Sequence, residues 1–261
     1  MKKLLSVLLA VLMAVTSFTA LGITSFAEET QNGWVKEAIS YEDDGEFYSM
    51  DIWYYYVNGE KTIGWKKIGG KWYVFDEDGW MLDNRFYSEG NNLYRLNEKG
   101  AMVTGWYKDS FYNEEDGKTY GFWYYFEASG KAAKGWKKIS GKWYYFDKDF
   151  AIMYADGTEE INGKHYYFDK NGAMVTGWKK LDGYWFYFTS NGLAKGWIKV
   201  SGKWYYFKPL ADNDVESMAI GWKKISGKWY YFNKDGSMVT GSKKIGKKTY
   251  KFDKNGVCQN P

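Results

Sequence analysis

One histidine, one cysteine and two prolines are all that this chain of 261 residues holds of those three types. With His165 alone, catalysis or zinc binding built on clustered histidines is ruled against. With Cys258 alone, three residues from the end, no intramolecular disulfide can form, so packing must hold the fold. A frayed, unpaired terminal thiol is the expected state of that residue. Pro209 and Pro261 are the whole proline content, beside 30 glycines, a balance that suits many short strands joined by tight turns. Excess charge is lacking too. Lys and Arg number 36 against 32 Asp and Glu, the lysines recur instead of clustering, and no nucleic-acid footprint results.

Long apolar runs are also scarce. The exception, Leu4 to Ala14, follows Lys2 and Lys3 and precedes small residues at Ser25 and Ala27, the layout of a signal peptide cut after Ala27. Thr16, Ser17, Thr19 and Gly22 interrupt it and speak against an uncleaved anchor. Loss of residues 1–27 takes the net charge from +4 to +2. No later segment is long and apolar enough to span a bilayer. An exported chain with no transmembrane segment after signal cleavage is expected.

What the chain has is aromatic surface, 21% of residues, with all 15 Trp beyond residue 27. The string Gly-Trp-Lys-Lys-Ile-x-Gly-Lys-Trp-Tyr-Tyr/Val-Phe starts at Gly64, Gly135 and Gly221, with variants at Gly177 and Gly196. About ten units begin near Gly33, Gly64, Asn84, Gly105, Gly135, Gly157, Gly177, Gly196, Gly221 and Gly241. In the reference unit, Trp222–Ile225 reads as a strand and Ser226-Gly227-Lys228 as a turn. Trp229–Asn233 reads as the return strand, and Lys234-Asp235-Gly236 as a second turn before the next unit. A unit this small cannot bury its own apolar face, so units must stack, and a ligand belongs at the seam between neighbours. The predicted fold is an all-β solenoid of stacked β-hairpin repeats of about 20 residues. Its parts are a signal peptide (1–27), an irregular first repeat with a long hairpin (28–63) and the repeat solenoid (64–261).

Several residues admit two readings. Paired Trp are either core or ligand contacts, while alternation along Trp-Tyr-Tyr-Phe sends Tyr73, Phe75 and their equivalents to the core. Met102, Met174, Met218 and Met238, three residues before an opening Gly, suit flexible core plugs that could also floor a pocket. The Lys pairs at 66–67, 137–138, 179–180 and 223–224 either solvate strand edges or meet phosphates of an anionic polymer. The acidic turns Glu42-Asp43-Asp44-Gly45 and Glu114-Glu115-Asp116-Gly117 lack the alternating ligand pattern of a calcium loop and read as solvated turns. Thr158 and His165 stand at the two Trp positions of one unit, Ser242 and Thr249 at those of the last.

These units, with Trp65/Trp72, Trp136/Trp143, Trp178/Trp185, Trp197/Trp204 and Trp222/Trp229 each seven apart, resemble the choline-binding, or cell-wall-binding, repeats of Gram-positive surface proteins. The resemblance runs from about Trp34 to Val257, and related repeats occur in glucan-binding and clostridial toxin domains. It implies a left-handed superhelix with choline held between consecutive hairpins by two Trp of one unit and an aromatic of the next. Carried onto this chain, the implied sites are Trp178, Trp185 and Tyr205; Trp197, Trp204 and Tyr230; Trp222, Trp229 and Tyr250; Trp65, Trp72 and Tyr94; and Trp136, Trp143 and Tyr166. The implied function is non-catalytic attachment to the cell envelope through choline on teichoic acids, without cofactor or metal. The alternatives are a glucan- or other glycan-binding repeat protein and a structural surface spacer or assembly protein.

Overall fold

The structure, a computed structural model, describes residues 31–43, 46–208 and 217–261. The expected signal peptide, the turn residues Asp44 and Gly45, and the Pro209–Asp214 insertion lie outside these. The chain divides into two compact units, Met1–Lys66 with Val74–Met81, and Lys67–Tyr73 with Leu82–Pro261.

Every sheet among the described residues is an antiparallel hairpin or a hairpin with one short added strand. In the amino-terminal unit, Gly33–Asp43 pairs with Glu46–Val57. Gly64–Ile68 and Lys71–Phe75 form the hairpin at which the division falls. In the larger unit the hairpins are Arg85–Glu89 with Asn92–Leu96, Gly105–Asn113 with Lys118–Phe126, and Gly135–Ile139 with Lys142–Phe146. They continue with Gly157–Ile161 and Lys164–Phe168, Gly177–Leu181 and Tyr184–Thr189, and Gly196–Val200 and Lys203–Phe207. Gly221–Ile225 with Lys228–Phe232 and Gly241–Ile245 with Lys248–Phe252 complete the series. The expected ten openings are all present, one displaced from Asn84 to Arg85, and the fold is the all-β repeat solenoid. The two long acidic units are extended hairpins. Their extra residues extend the paired strands themselves, to Asp43 and to Asn113.

Turn chemistry fixes the register. Ser226 and Gly227 have φ of +49° and +80°, and Asp182 and Gly183 +48° and +86°, so both central residues of each turn are left-handed. That is the twist a two-residue hairpin needs. In the Gly221 hairpin, Trp222 then faces Tyr231 and Lys224 faces Trp229 on one side. Lys223 and Tyr230 pair on the other side, where Phe232 also points. Each hairpin thus has a Trp face and a Tyr/Phe face, and the stack sets the first against the second of the next hairpin. Trp197 meets Tyr230 and Phe232 in this way, with ring centroids 4.9 and 5.7 Å apart. The row Phe126, Phe146, Phe168, Phe188, Phe207 and Phe232 is buried as expected. Tyr144 and Tyr230 remain half-buried because they also border the seam.

The connections stitch one hairpin to the last. Asp253 accepts the amides of Asn255 and Val257 at 2.8 and 2.9 Å, which bends the chain back after the return strand. The residue that then bridges to the closing Phe donates its N–H to the second Trp of the preceding hairpin. Met153 reaches Trp123, Met218 reaches Trp185, and Met238 reaches Trp204, all at 2.8 Å. Cys258 takes this place in the last unit. It bridges Phe252, donates to Trp229 at 2.8 Å and is buried at 7% exposure. The expectation of a frayed terminal thiol is therefore corrected: the position demands an apolar plug, and a thiol fits it.

Met102, Met153, Met218 and Met238 each lie against a glycine one unit on. A Cβ on Gly236 would fall 2.0 Å from the sulfur of Met218, and one on Gly256 2.4 Å from that of Met238. Where the plug is Ala132, the glycine position holds Ala151, left-handed at φ +59° and wholly buried. Met and Gly are thus a matched pair. Gly236→Ala should destabilise the protein by about 2 kcal/mol or more, through clash and a left-handed Cβ together. Adding Met218→Ala should cost less than the sum of the single changes. Denaturant titration of the four proteins checks this, and strict additivity would break the pairing.

Candidate functional site: aromatic cages at the hairpin seams

On the Trp face, the two Trp of a hairpin lie diagonally across the strands, and register alone brings them together. Trp178 and Trp185 have centroids 6.3 Å apart at 87°. Trp197 and Trp204 stand at 6.4 Å and 86°, Trp222 and Trp229 at 6.2 Å and 89°, and Trp136 and Trp143 at 6.4 Å and 87°. A Tyr from the next hairpin closes each corner against the first Trp. Tyr205 lies 4.8 Å from Trp178, Tyr230 4.9 Å from Trp197, Tyr250 4.7 Å from Trp222, and Tyr166 4.7 Å from Trp136. Four of the five sequence-derived triads are thus assembled as three-walled corners with one geometry. Tyr166 closes its corner although His165 replaces the neighbouring Trp, because Tyr166 projects from the opposite face. Of the fifth triad, Trp65 belongs to one unit and Trp72 and Tyr94 to the other.

Spacing by seven missed a further corner. Trp106 and Trp123 are separated in sequence by the long hairpin, yet Trp106 pairs with Tyr125 and Lys108 with Trp123, the register of the short hairpins. Their rings stand 6.2 Å apart at 86°, and Tyr144 of the next hairpin lies 5.0 Å from Trp106. Trp34 and Trp53 repeat the pair in the amino-terminal unit at 6.2 Å and 85°. Counting positions back from each turn, instead of between Trp residues, would have found both pairs.

The two Trp of a corner differ in ring packing more than in burial, since Trp197 and Trp106 themselves keep 37% and 39% of their surface exposed. Trp185 and Trp204 each keep 42% of their surface exposed and Trp229 keeps 39%, while Trp178 and Trp222 are half-buried. The first Trp packs on three rings. For Trp197 these are Tyr206, Tyr230 and Phe232 at 5.1, 4.9 and 5.7 Å. The first Trp thus packs on rings of its own hairpin and the next, while the second has one such ring partner and keeps a face toward solvent.

The Trp178 corner opens into a cavity of about 370 Å³ lined also by Met218 and Asp235. Met218 does border the pocket, as one reading of these residues had it. Asp235 was missed; it comes from the turn two hairpins on, a relation that only stacking reveals. Its carboxylate is held below the ordinary aspartate value of 3.8, first by the Ser237 hydroxyl and amide at 2.5 and 3.0 Å and then by Lys203 at 3.4 Å. The corner can therefore surround a compact cation with π faces on three sides and one carboxylate at its mouth. The lysines divide as well. Lys137 pairs with Glu127, and Lys243 bonds Asn233 at 2.8 Å, both ties to the preceding unit. Lys199 and Lys224 stand 5.9 Å over Trp204 and Trp229.

This division of labour has a direct test. Trp204→Ala should change stability by less than about 1 kcal/mol, whereas Trp197→Ala should cost about 3 kcal/mol or more through its lost ring contacts. Denaturant midpoints of the two variants separate the roles; equal losses would make both residues core.

Comparison with known proteins places this geometry. The choline-binding repeat family matches residues 62–105, 116–150, 155–192, 175–214 and 219–257. Choline binding protein F of Streptococcus pneumoniae is similar in structure, 27% identical, with a TM-score of 0.56 over 85% of this chain and 86% of that one. The modular autolysin LytC of the same organism is 26% identical at a TM-score of 0.53, over 85% of this chain and 46% of that one. Glucosyltransferase-S of Streptococcus mutans serotype c is 32% identical over 109 residues, which are 40% of this chain and 7% of that protein. The chain thus spans a small fraction of the curated relatives it matches. On the family match along most of its described length, and on the corners repeated in the larger unit, this chain belongs to the choline-binding repeat family.

Proposed function

We propose that the Trp corners bind the trimethylammonium group of choline and hold this protein noncovalently on the cell envelope, through choline-bearing teichoic acid. The observation that carries the reading is the repeated corner itself, five times in one unit, each with two orthogonal Trp rings and a Tyr from the next hairpin. A quaternary ammonium donates no N–H hydrogen bond, so it is best held by π faces that exclude water. At about 0.5–2 kcal/mol per ring, three rings give a site near millimolar. Such a site gains its use from repetition, because a polymer that repeats its ligand engages several corners at high effective concentration. The match to a family of choline-binding repeats along most of the described length supports a non-catalytic binding role. Export by residues 1–27 and a surface location complete the proposal, and no helix among the described residues is long and apolar enough to cross a membrane.

The similarity of choline binding protein F, also solved in the presence of a peptidoglycan analogue, supports a cell-wall polymer as partner. The glucosyltransferase match supports glycan binding as the second reading. The corners favour choline: rings at right angles leave no flat platform for a sugar, and Asp235 adds a negative charge at one mouth.

Choline should quench or shift Trp emission with a dissociation constant in the millimolar range. Replacing Trp143, Trp185, Trp204 and Trp229 together by Ala should abolish most of the response and retention on a choline-bearing matrix. A full response in that variant would remove the corners as the site.

The Trp178 corner should also respond to pH. The lowered pKa of Asp235 means that its charge is fully present above the ordinary aspartate value and is lost as pH falls through the depressed folded value. Choline affinity there should be flat from neutral pH down through the ordinary aspartate value and weaken only as pH falls through the lower folded value. Asp235→Asn should remove that dependence without changing the other corners. Titration of wild type and variant at neutral pH and at successive steps below the ordinary aspartate value checks the sign.

A further inference from the structure

One seam departs from the Trp corners in a coordinated way. In the Arg85 hairpin, Phe86 pairs with Arg95 and Leu93 with Ser88, so Phe86 and Leu93 occupy the two Trp positions. The plug that hydrogen-bonds back to Leu93, at 2.8 Å, is Ala132 where other units have Met. Ala151 fills the space beside it, packed with Tyr124 and Phe126. The smaller side chains at the two Trp positions border a cavity of about 510 Å³, wider than the 370 Å³ of the Trp178 corner.

Its walls differ in chemistry as well as size. Phe86, Leu93 and Tyr124 make an apolar floor, with the two rings 5.1 Å apart and tilted at 52°, open where the Trp rings are orthogonal. Ser88, Asn91, Asn92 and Asp149 line the upper wall. Their side chains enter no hydrogen bond among the described residues. Lys134 clamps the mouth, its ammonium donating to the Asn91 carbonyl at 3.2 Å and the Asp149 carbonyl at 3.4 Å. Phe150 stands at the rim with 70% of its surface exposed.

A cation is poorly suited to this pocket, because one is already built in. The Arg95 guanidinium is buried and lies 5.3 Å over the Phe86 ring. It is fixed there by 2.8 Å bonds to Tyr107, Leu96 and Asn84. An incoming ammonium would meet like charge on the ring that should hold it. Amides and hydroxyls above tilted aromatic rings instead match a ligand with hydroxyls on its edge and C–H groups on its faces.

We propose that this pocket is a saccharide subsite that takes a neutral pyranose oligomer. The sugar C–H faces lie on Phe86, Tyr124 and Phe150, and its hydroxyls exchange hydrogen bonds with Asn91, Asn92 and Asp149. Arg95 and Lys134 disfavour a cationic sugar and the Asp149 carboxylate an anionic one. The assignment does not depend on choline occupying the Trp corners.

The test is calorimetric or NMR titration of the full chain, in saturating choline, with isomaltotriose and with chitotriose. At least one should bind with a dissociation constant of about 10 mM or tighter. Isomaltotriose alone would identify a glucan, chitotriose alone an N-acetylated glycan. Phe150→Ala and Asp149→Ala alter exposed rim positions and should each weaken binding at least about fivefold, with the choline fluorescence response unchanged. No binding of either sugar, undiminished binding in both variants, or loss of sugar binding in Trp204→Ala would overturn the proposal.

Discussion

The contact on which this structure depends is the edge-to-face packing of the first Trp of one hairpin on the Tyr of the next. A hairpin of two five-residue strands has no interior, and an isolated one is marginal in water. Its apolar rings become core only when the next hairpin covers them, which the Tyr and Phe of that hairpin do within 4.7–6.0 Å of the Trp. The same contact leaves the second Trp uncovered, since the Tyr reaches only the first. Folding and binding surface thus arise from one arrangement. A seam that packs correctly presents a three-walled corner whether or not a ligand is there.

Much of this was legible in the sequence. The ten hairpins follow from Gly-containing turns and runs of strand-favouring rings, and the period implies stacking because no unit could be stable alone. The resemblance placed four of the assembled corners by residue. What the sequence hid depends on relations between non-neighbouring units. Trp106 and Trp123 escaped a rule of spacing because their hairpin grows at its tip, where length does not disturb register at the base. Asp235 escaped because its turn lies two hairpins from the corner it borders. Cys258 was misjudged by its place near the end of the chain, although its register with Phe252 makes it a plug. Tyr205 and its equivalents looked like core by alternation and like ligand contacts by resemblance. Tyr205 is buried and also stands beside the first Trp of the corner, because the seam is core on one side and corner on the other.

Two seams lack the Trp pair, and each holds a cation of its own. Arg95 lies over Phe86 at the first. At the second, where Thr158 and His165 replace Trp, Lys179 of the next hairpin sits 4.3 Å over Tyr167. The Phe of the following hairpin stays buried at both, Phe126 and Phe188 alike. The stacking face is therefore kept while the Trp face varies. That asymmetry is what the geometry predicts: loss of a second Trp gives up an exposed ring, whereas loss of a Phe opens a cavity that costs about 3–5 kcal/mol.

Variation along the array then has a physical licence. Stability in a stack is nearly a sum over units and their seams, so one altered seam leaves the others intact. Avidity is likewise a property of the set, and several millimolar corners tolerate a seam that does something else. The Arg85 seam uses that freedom most fully. Both Trp positions and the plug carry smaller side chains, and the pocket meets amides and a carboxylate where a second Trp would stand. Shrinking the plug alone would leave a void against the position that is Gly236 or Gly256 in other units. Here that position is Ala151, and its methyl group fills the space. The alanine pair closes the floor, and only then can the Trp positions be given up without loosening the seam.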